Sequence, residues 1–211
     1  MSVIAFPKAL TARTIASSKE AAVLKSISQR GVAAARWQRT PSQEFSDWIN
    51  ALSTSQLPKL RSFLPMDRVE EAIQAACDIA EMPPNPQRHL LASDVAALAF
   101  IMSKVINTTH LHVRLDVVSN DACRRFHIDN MTARMLCTYR GTGTQLAVAG
   151  EEDRPTTVGA SDVVLLRGKL WPSTEETMLL HRSPPISGTG ETRLLAVIDP
   201  ATDHRSAPTY H

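Results

Sequence analysis

Cysteine is scarce in these 211 residues: Cys77, Cys123 and Cys137 are the whole supply, odd in number, far apart and without a C-x-x-C pair. That excludes a disulfide framework, and with no secretory leader in view the pattern leads us to expect a reducing, cytoplasmic setting. The length is sufficient to bury a core without such staples. Long hydrophobic runs are missing too. The most apolar stretch, Val95 to Ile106, falls short of the roughly 18 residues of a membrane span and carries Ser103 and Lys104, so no membrane partner is expected. There is no nucleophile elbow, no Ser-His-Asp spacing and no internal repeat, which removes the usual signatures of a serine hydrolase.

Acidic residues are nearly absent from the first forty positions, where Glu20 alone faces Lys8, Arg13, Lys19, Lys25, Arg30, Arg36 and Arg39. The overall charge of +2, less the +6 of this stretch, leaves the rest of the chain at −4. A basic, Ser/Ala-rich start suits a transit-type peptide or an anion-binding arm. Its charges are scattered, however, and few aromatics interleave them, so residues 1–41 read as a loose, partly flexible segment and nucleic acid is not an expected partner.

What is present divides into two textures. Over 42–108 apolar residues recur at helical spacing: Phe45, Trp48, Ile49 and Leu52, then Val69, Ile73, Ala76 and Ile79, then Val95, Leu98, Ala99 and Met102. Three amphipathic helices follow, with starts expected at Ser42, Asp67 and Ser93, whose side-chain oxygens can accept from first-turn amides. Pro83, Pro84 and Pro86 must separate the second helix from the third. Over 109–211 the period falls to two, beginning with the strict alternation of His110 to Val117. Short strands are expected at 132–139, 144–149, 155–158, 162–167, 177–182 and 192–199, and the stretch leading into His127 brings the count to about eight. Glycines and Pro172 punctuate the turns. Evenly spaced strands with no helices between them imply an α+β protein in which N-terminal helices pack on an antiparallel jelly roll.

The chemistry lies in Phe126-His127-Ile128-Asp129 and in Leu180-His181-Arg182. His127 and Asp129 are i and i+2, so an extended backbone presents both to one face, and His181 arrives from a separate strand. Two imidazoles and one carboxylate make an open three-ligand metal site that suits non-haem iron(II), with zinc as the competitor. Arg193 favours iron, because its planar fork can pair bidentately with the far carboxylate of a dicarboxylate such as 2-oxoglutarate. The competing structural reading is a surface pair and a satisfied core histidine. Cys123 could add a thiolate but reads more simply as a small buried side chain. His110 and His112 share a strand face without an evident third ligand. Gly141-Thr142-Gly143-Thr144 reads as a turn, and Trp171-Pro172 as a wall or loop anchor.

The ordered set His127-x-Asp129, Asp162 to Leu166, His181 and Arg193 resembles the iron(II)/2-oxoglutarate-dependent dioxygenase superfamily over about 112–200. The fuller text Cys123 to Asp129, Leu136 to Thr144 and His181 to Pro185 also resembles a bacterial domain family of unknown function. The superfamily resemblance implies a double-stranded β-helix, with His127, Asp129 and His181 as catalytic iron ligands and Arg193 as the 2-oxoglutarate anchor. Leu195 stands where a serine or threonine often accompanies that arginine, so the second donor to 2-oxoglutarate falls to Tyr139, Thr138 or Arg134. The implied reaction is oxygenation of an unspecified small-molecule or peptide substrate. A zinc protein, hydrolytic or concerned with metal handling, is the alternative.

Overall fold

The computed structural model describes residues 10–201; the first nine and last ten positions of the segments delimited above lie outside them. In chain order the elements are β1 (Thr11–Ala12), β2 (Thr14–Ser18), a 3₁₀ segment (Ala21–Ser28), β3 (Val32–Trp37), α1 (Gln43–Ala51) and β4 (Leu60–Pro65). Next come α2 (Val69–Ile79), α3 (Pro86–Ile106), β5 (His110–Val118), β6 (Ala133–Arg140), β7 (Gln145–Val148) and β8 (Thr156–Thr157). The chain closes with β9 (Val163–Arg167), β10 (Glu176–Thr177), β11 (Leu179–Arg182) and β12 (Arg193–Pro200).

These strands form a mixed α/β structure. A seven-stranded sheet has the order β2-β3-β9-β6-β12-β5-β4, a three-stranded sheet the order β11-β7-β8, and β1 pairs with β10. Within the large sheet β2 and β3 are parallel, and the other neighbours are antiparallel. The two-residue period gives this sheet two unlike faces. Met135, Cys137, Leu194, Ala196 and Ile198 join the helices in one apolar core, whereas Leu136, Leu195 and Val197 meet Leu146 and Leu179 of the small sheet in another.

Two of the three helices depart from sequence expectation at their starts. α1 begins as expected, with the Ser42 side chain accepting from Phe45 N. A 3₁₀ turn, Met66–Arg68, absorbs the expected Asp67 start, and α2 runs from Val69. α3 begins not at Ser93 but at Pro86, because the Asn85 side chain accepts from Arg88 N and proline at the first helical position has no amide to satisfy. By length and composition α3 is apolar enough to cross a bilayer. Here it packs Leu91, Val95, Leu98 and Met102 into the core and carries Arg88, Asp94 and Lys104.

The basic N-terminal stretch also needs correction. From Thr11 it holds strands, and β2 and β3 complete one flank of the large sheet. Its charge is partly internal: Arg36 binds Asp162 Oδ2 through two nitrogens, at 2.8 and 2.6 Å, and Arg39 grips both oxygens of Asp94.

Candidate metal centre

Between β5 and β6 the chain from 119 to 132 forms no strand, contrary to the expected stretch leading into His127. It is nevertheless fixed. His127 N donates to His181 O at 3.0 Å and His181 N returns the bond to His127 O at 2.9 Å, a single antiparallel bridge between loop and β11. On the far side of Asp129, Lys169 N donates to Asp129 O at 2.9 Å and Leu170 N to Met131 O at 3.1 Å. Glycine is required beneath this loop, since a Cβ at Gly168 would lie 1.9 Å from Met131 O and 3.0 Å from Asp129 O.

The three expected ligands converge. One nitrogen or oxygen from each of His127, Asp129 and His181 falls within a 4.8 Å cluster. His181 Nε2 lies 3.2 Å from Asp129 Oδ2, and His127 Nε2 lies 3.6 Å from Asp129 Oδ1. With metal–ligand bonds of about 2.0–2.2 Å, neighbouring donors on one ion sit roughly 3 Å apart, so the spacing fits a shared cation. His127 Nδ1 is 2.9 Å from the Arg125 carbonyl. A carbonyl only accepts, so Nδ1 carries the proton and the neutral ring turns a lone pair at Nε2 toward Asp129.

Asp129 supplies the strongest sign of fit. Its Oδ1 accepts from Arg134 Nη1 at 2.8 Å, while Oδ2 is buried and has no hydrogen bond. His181 Nε2 is near it but lacks hydrogen-bond geometry, leaving a buried carboxylate oxygen for which a cation would be the natural partner. Burial works to raise the Asp129 pKa, but His127, His181 and Arg134 overcome it and hold the carboxyl well below its ordinary value. His127 is raised by its contact with Asp129, against the opposing effect of burial, and burial lowers His181 despite the same carboxylate.

Behind the cluster lies a charge relay that sequence reasoning did not assemble. Arg134 on β6 donates Nε and Nη2 to the two oxygens of Asp199 on β12, both at 2.8 Å, so one guanidinium joins Asp199 to Asp129. Arg114 continues the chain, 3.8 Å from Asp199 and 3.2 Å from Asp116. The signal was present in β12, an apolar run with Arg193 at one end and Asp199 near the other, because a charge in a fully buried strand needs a partner.

Arg193 is fully buried. It donates to Thr142 O at 2.6 Å, Ser183 Oγ at 3.0 Å and Thr138 Oγ at 3.4 Å, and no carboxylate of the described residues forms an ion pair with it. Burial lowers its pKa, only partly offset by Glu191. Tyr139 corrects the sequence reading: it faces the helical side of the sheet, donating to Asp94 Oδ2 at 2.6 Å, away from the metal cluster. The alternation of β6 is the cause, since Arg134, Leu136 and Thr138 take the other face. Cys123 is exposed rather than buried and stands outside the ligand cluster. His110 and His112 flank Phe63, with centroids 5.3 and 4.9 Å from its ring. A cavity of about 560 Å³ opens on His127, Asp129 and His181 and is walled by Leu136, Leu195 and Val197.

Residues 18–199 match the model of a family described as a protein of unknown function, DUF1826. The chain belongs to this family. No curated protein matches this DUF1826 chain. Among solved structures it is similar to a dioxygenase for auxin oxidation from Arabidopsis thaliana, determined as a binary complex with 2-oxoglutarate. That likeness has a TM-score of 0.53 at 11% identity and covers 91% of this chain and 93% of that one. The rice dioxygenase for auxin oxidation gives a TM-score of 0.46 at 12% identity, over 84% and 77% of the two chains. A prolyl-4-hydroxylase from Pseudomonas putida gives 0.43 at 16%, over 86% and 93%. At 11% identity the likeness to the Arabidopsis dioxygenase is one of fold alone, and the DUF1826 chain shares that fold.

Proposed function

We propose that the protein is a non-haem iron(II)/2-oxoglutarate-dependent oxygenase, built as a helix-buttressed double-stranded β-helix and working in the cytoplasm. The observation that carries this reading is the convergence of His127, Asp129 and His181 around a buried, unbonded Asp129 Oδ2. The three side chains would hold iron(II) from one side, leaving positions open as oxygenase chemistry requires. Iron(II), when bound, supplies the redox chemistry that couples oxidative decarboxylation of 2-oxoglutarate by dioxygen to oxidation of a substrate C–H bond.

The chain's own part is positioning, charge and exclusion of water. The Arg125 carbonyl keeps the His127 proton on Nδ1, and the Arg134 fork occupies Asp129 Oδ1 so that Oδ2 is the oxygen left for the metal. Arg193 would neutralise the distal carboxylate of 2-oxoglutarate, which would give its buried guanidinium a directly paired counter-charge beyond the partial offset from Glu191. Leu136, Leu195 and Val197 furnish an apolar wall that shields the reaction. Cys123, outside the cluster, supplies no fourth protein ligand, which favours this reading over a closed zinc site.

Anaerobic titration with iron(II) and 2-oxoglutarate is expected to develop a visible charge-transfer band, and His127→Ala to abolish it. Iron uptake without such a band in the native protein would sink the assignment, whereas zinc in protein purified without added metal, together with no succinate release, would favour the zinc alternative.

A further inference from the structure

The Gly141-Thr142-Gly143-Thr144 connection from β6 to β7 has no part in the function proposed above, yet its backbone is fitted closely to the start of β12. A Cβ at Gly141, whose φ of +81° suits glycine, would lie 2.7 Å from Glu191 Oε1 and 2.9 Å from Arg193 Cγ. One at Gly143 would lie 1.9 Å from the carbonyl oxygen of Val158, just past β8. Between these two glycines, Thr142 stands between side chains of opposite charge. Its N–H and hydroxyl donate to Glu191 Oε1 and Oε2, at 2.5 and 3.0 Å, and its carbonyl accepts from Arg193 Nε at 2.6 Å.

Arg193 lies on the cavity face of the large sheet. Leu195 and Val197 follow it at the two-residue period of β12 and line the cavity. So do Val118, its partner across β5, and Ser183, which accepts from its Nη1. With Nε bound to Thr142 O, the terminal nitrogens make the fork that a carboxylate would meet. They now contact the Ser183 and Thr138 hydroxyls at 3.0 and 3.4 Å, groups that can donate as well as accept and so can turn toward an incoming anion. An arginine carries about 2 kcal/mol of rotamer entropy, and a backbone carbonyl fixes its plane only as firmly as the chain bearing that carbonyl is held. Glu191, two residues before Arg193, holds that chain with both carboxylate oxygens.

We propose that Glu191 is a positioning residue: by holding Thr142 it sets the plane in which the Arg193 guanidinium meets the distal carboxylate of 2-oxoglutarate. This rests on the co-substrate role given to Arg193 above. Glu191 touches neither metal nor co-substrate, and its effect arrives through the Thr142 carbonyl.

The test compares 2-oxoglutarate with 2-oxovalerate, which keeps the keto-acid end and has a methyl group in place of the distal carboxylate. Each is titrated into the cobalt(II)-loaded full chain and followed in the visible spectrum. Native protein is expected to bind 2-oxoglutarate about tenfold or more tightly, the order of one charge-assisted contact. Glu191→Ala should bring the two acids within about threefold, with cobalt(II) affinity, 2-oxovalerate affinity and circular dichroism unchanged. Gly141→Ala, which displaces the same turn but keeps the carboxylate, should also narrow the preference. Glu191→Gln, whose amide can still bridge the Thr142 N–H and hydroxyl, should keep most of it. In metal-free protein the Arg193 Nε proton, assigned by its loss in Arg193→Lys, should exchange with solvent about tenfold faster in Glu191→Ala. Unchanged exchange or an unchanged preference in Glu191→Ala overturns the proposal and leaves the co-substrate role of Arg193 standing. Glu191→Gln as impaired as Glu191→Ala overturns it too, because the carboxylate would then act by charge. Equal binding of both acids by native protein strikes the role of Arg193, and the proposal with it.

Discussion

At the scale of single residues, Arg134 is the side chain on which the geometry of Asp129 turns. It satisfies three carboxylate oxygens with one planar group, two on Asp199 and one on Asp129. Lysine keeps the charge but cannot reproduce that fork. Arg134→Lys is therefore expected to weaken metal binding by about 10–100-fold, the usual effect of losing a group that orients a metal ligand, with folding checked by circular dichroism and affinity by competition with a chromophoric chelator. Complete truncation would be more severe, because removing one partner of a buried ion pair costs about 3–5 kcal/mol and would leave Asp199 only the longer 3.8 Å contact with Arg114. Much at this scale was legible in sequence: His127 and Asp129 stand two apart, and His181 sits in a strand pattern. The Arg134–Asp199 pair was not, because 65 positions separate its members and only the sheet order makes β6 and β12 neighbours. Tyr139 was misassigned by a single register step, which sends a side chain to the opposite face.

At the scale of elements, the contrast is between strands that follow a pattern and segments held by neighbours. β5, β6, β9 and β12 alternate or run apolar, and they lie close to where periodicity places them. β2 and β3 escaped notice because Thr14–Ser18 is half polar and Val32–Trp37 is rich in alanine, a weak strand former. Their arginines looked solvent-facing, yet Arg36 answers Asp162 across the sheet. The 119–132 loop has no periodicity at all and depends on β11 and on the turn at Gly168. Gly168→Ala should accordingly destabilise the protein by about 1–3 kcal/mol, as forced crowding in a packed interior does, and should lower metal affinity because Asp129 O is among the atoms displaced. A chemical denaturation curve and the same chelator competition would check both effects. A glycine replaced where nothing crowds it, such as Gly150, which has no atom within 4 Å of a built Cβ, should leave metal affinity untouched.

At the scale of the molecule, the large sheet acts as a partition. Helices cover one face, and the small sheet and the His127–Asp129–His181 group occupy the other. A ligand that binds only the folded state stabilises it by about 2.7 kcal/mol at a hundred times its dissociation constant. For a chain of this size that corresponds to roughly 5–10 °C in melting temperature. Iron(II) added anaerobically at that ratio to chelator-treated protein should produce such a shift in scanning calorimetry, and His181→Ala should show almost none. Equal shifts in both proteins would mean that the ion binds elsewhere.

The paired amide–carbonyl bonds between His127 and His181 lace the two imidazole-bearing backbones together whether or not an ion sits between their rings. If the proposed cation binds there, stripping it would leave a standing receptor rather than a collapsed loop. Reloading would then be an exchange of water for protein donors, at a speed set by ion delivery instead of by chain rearrangement.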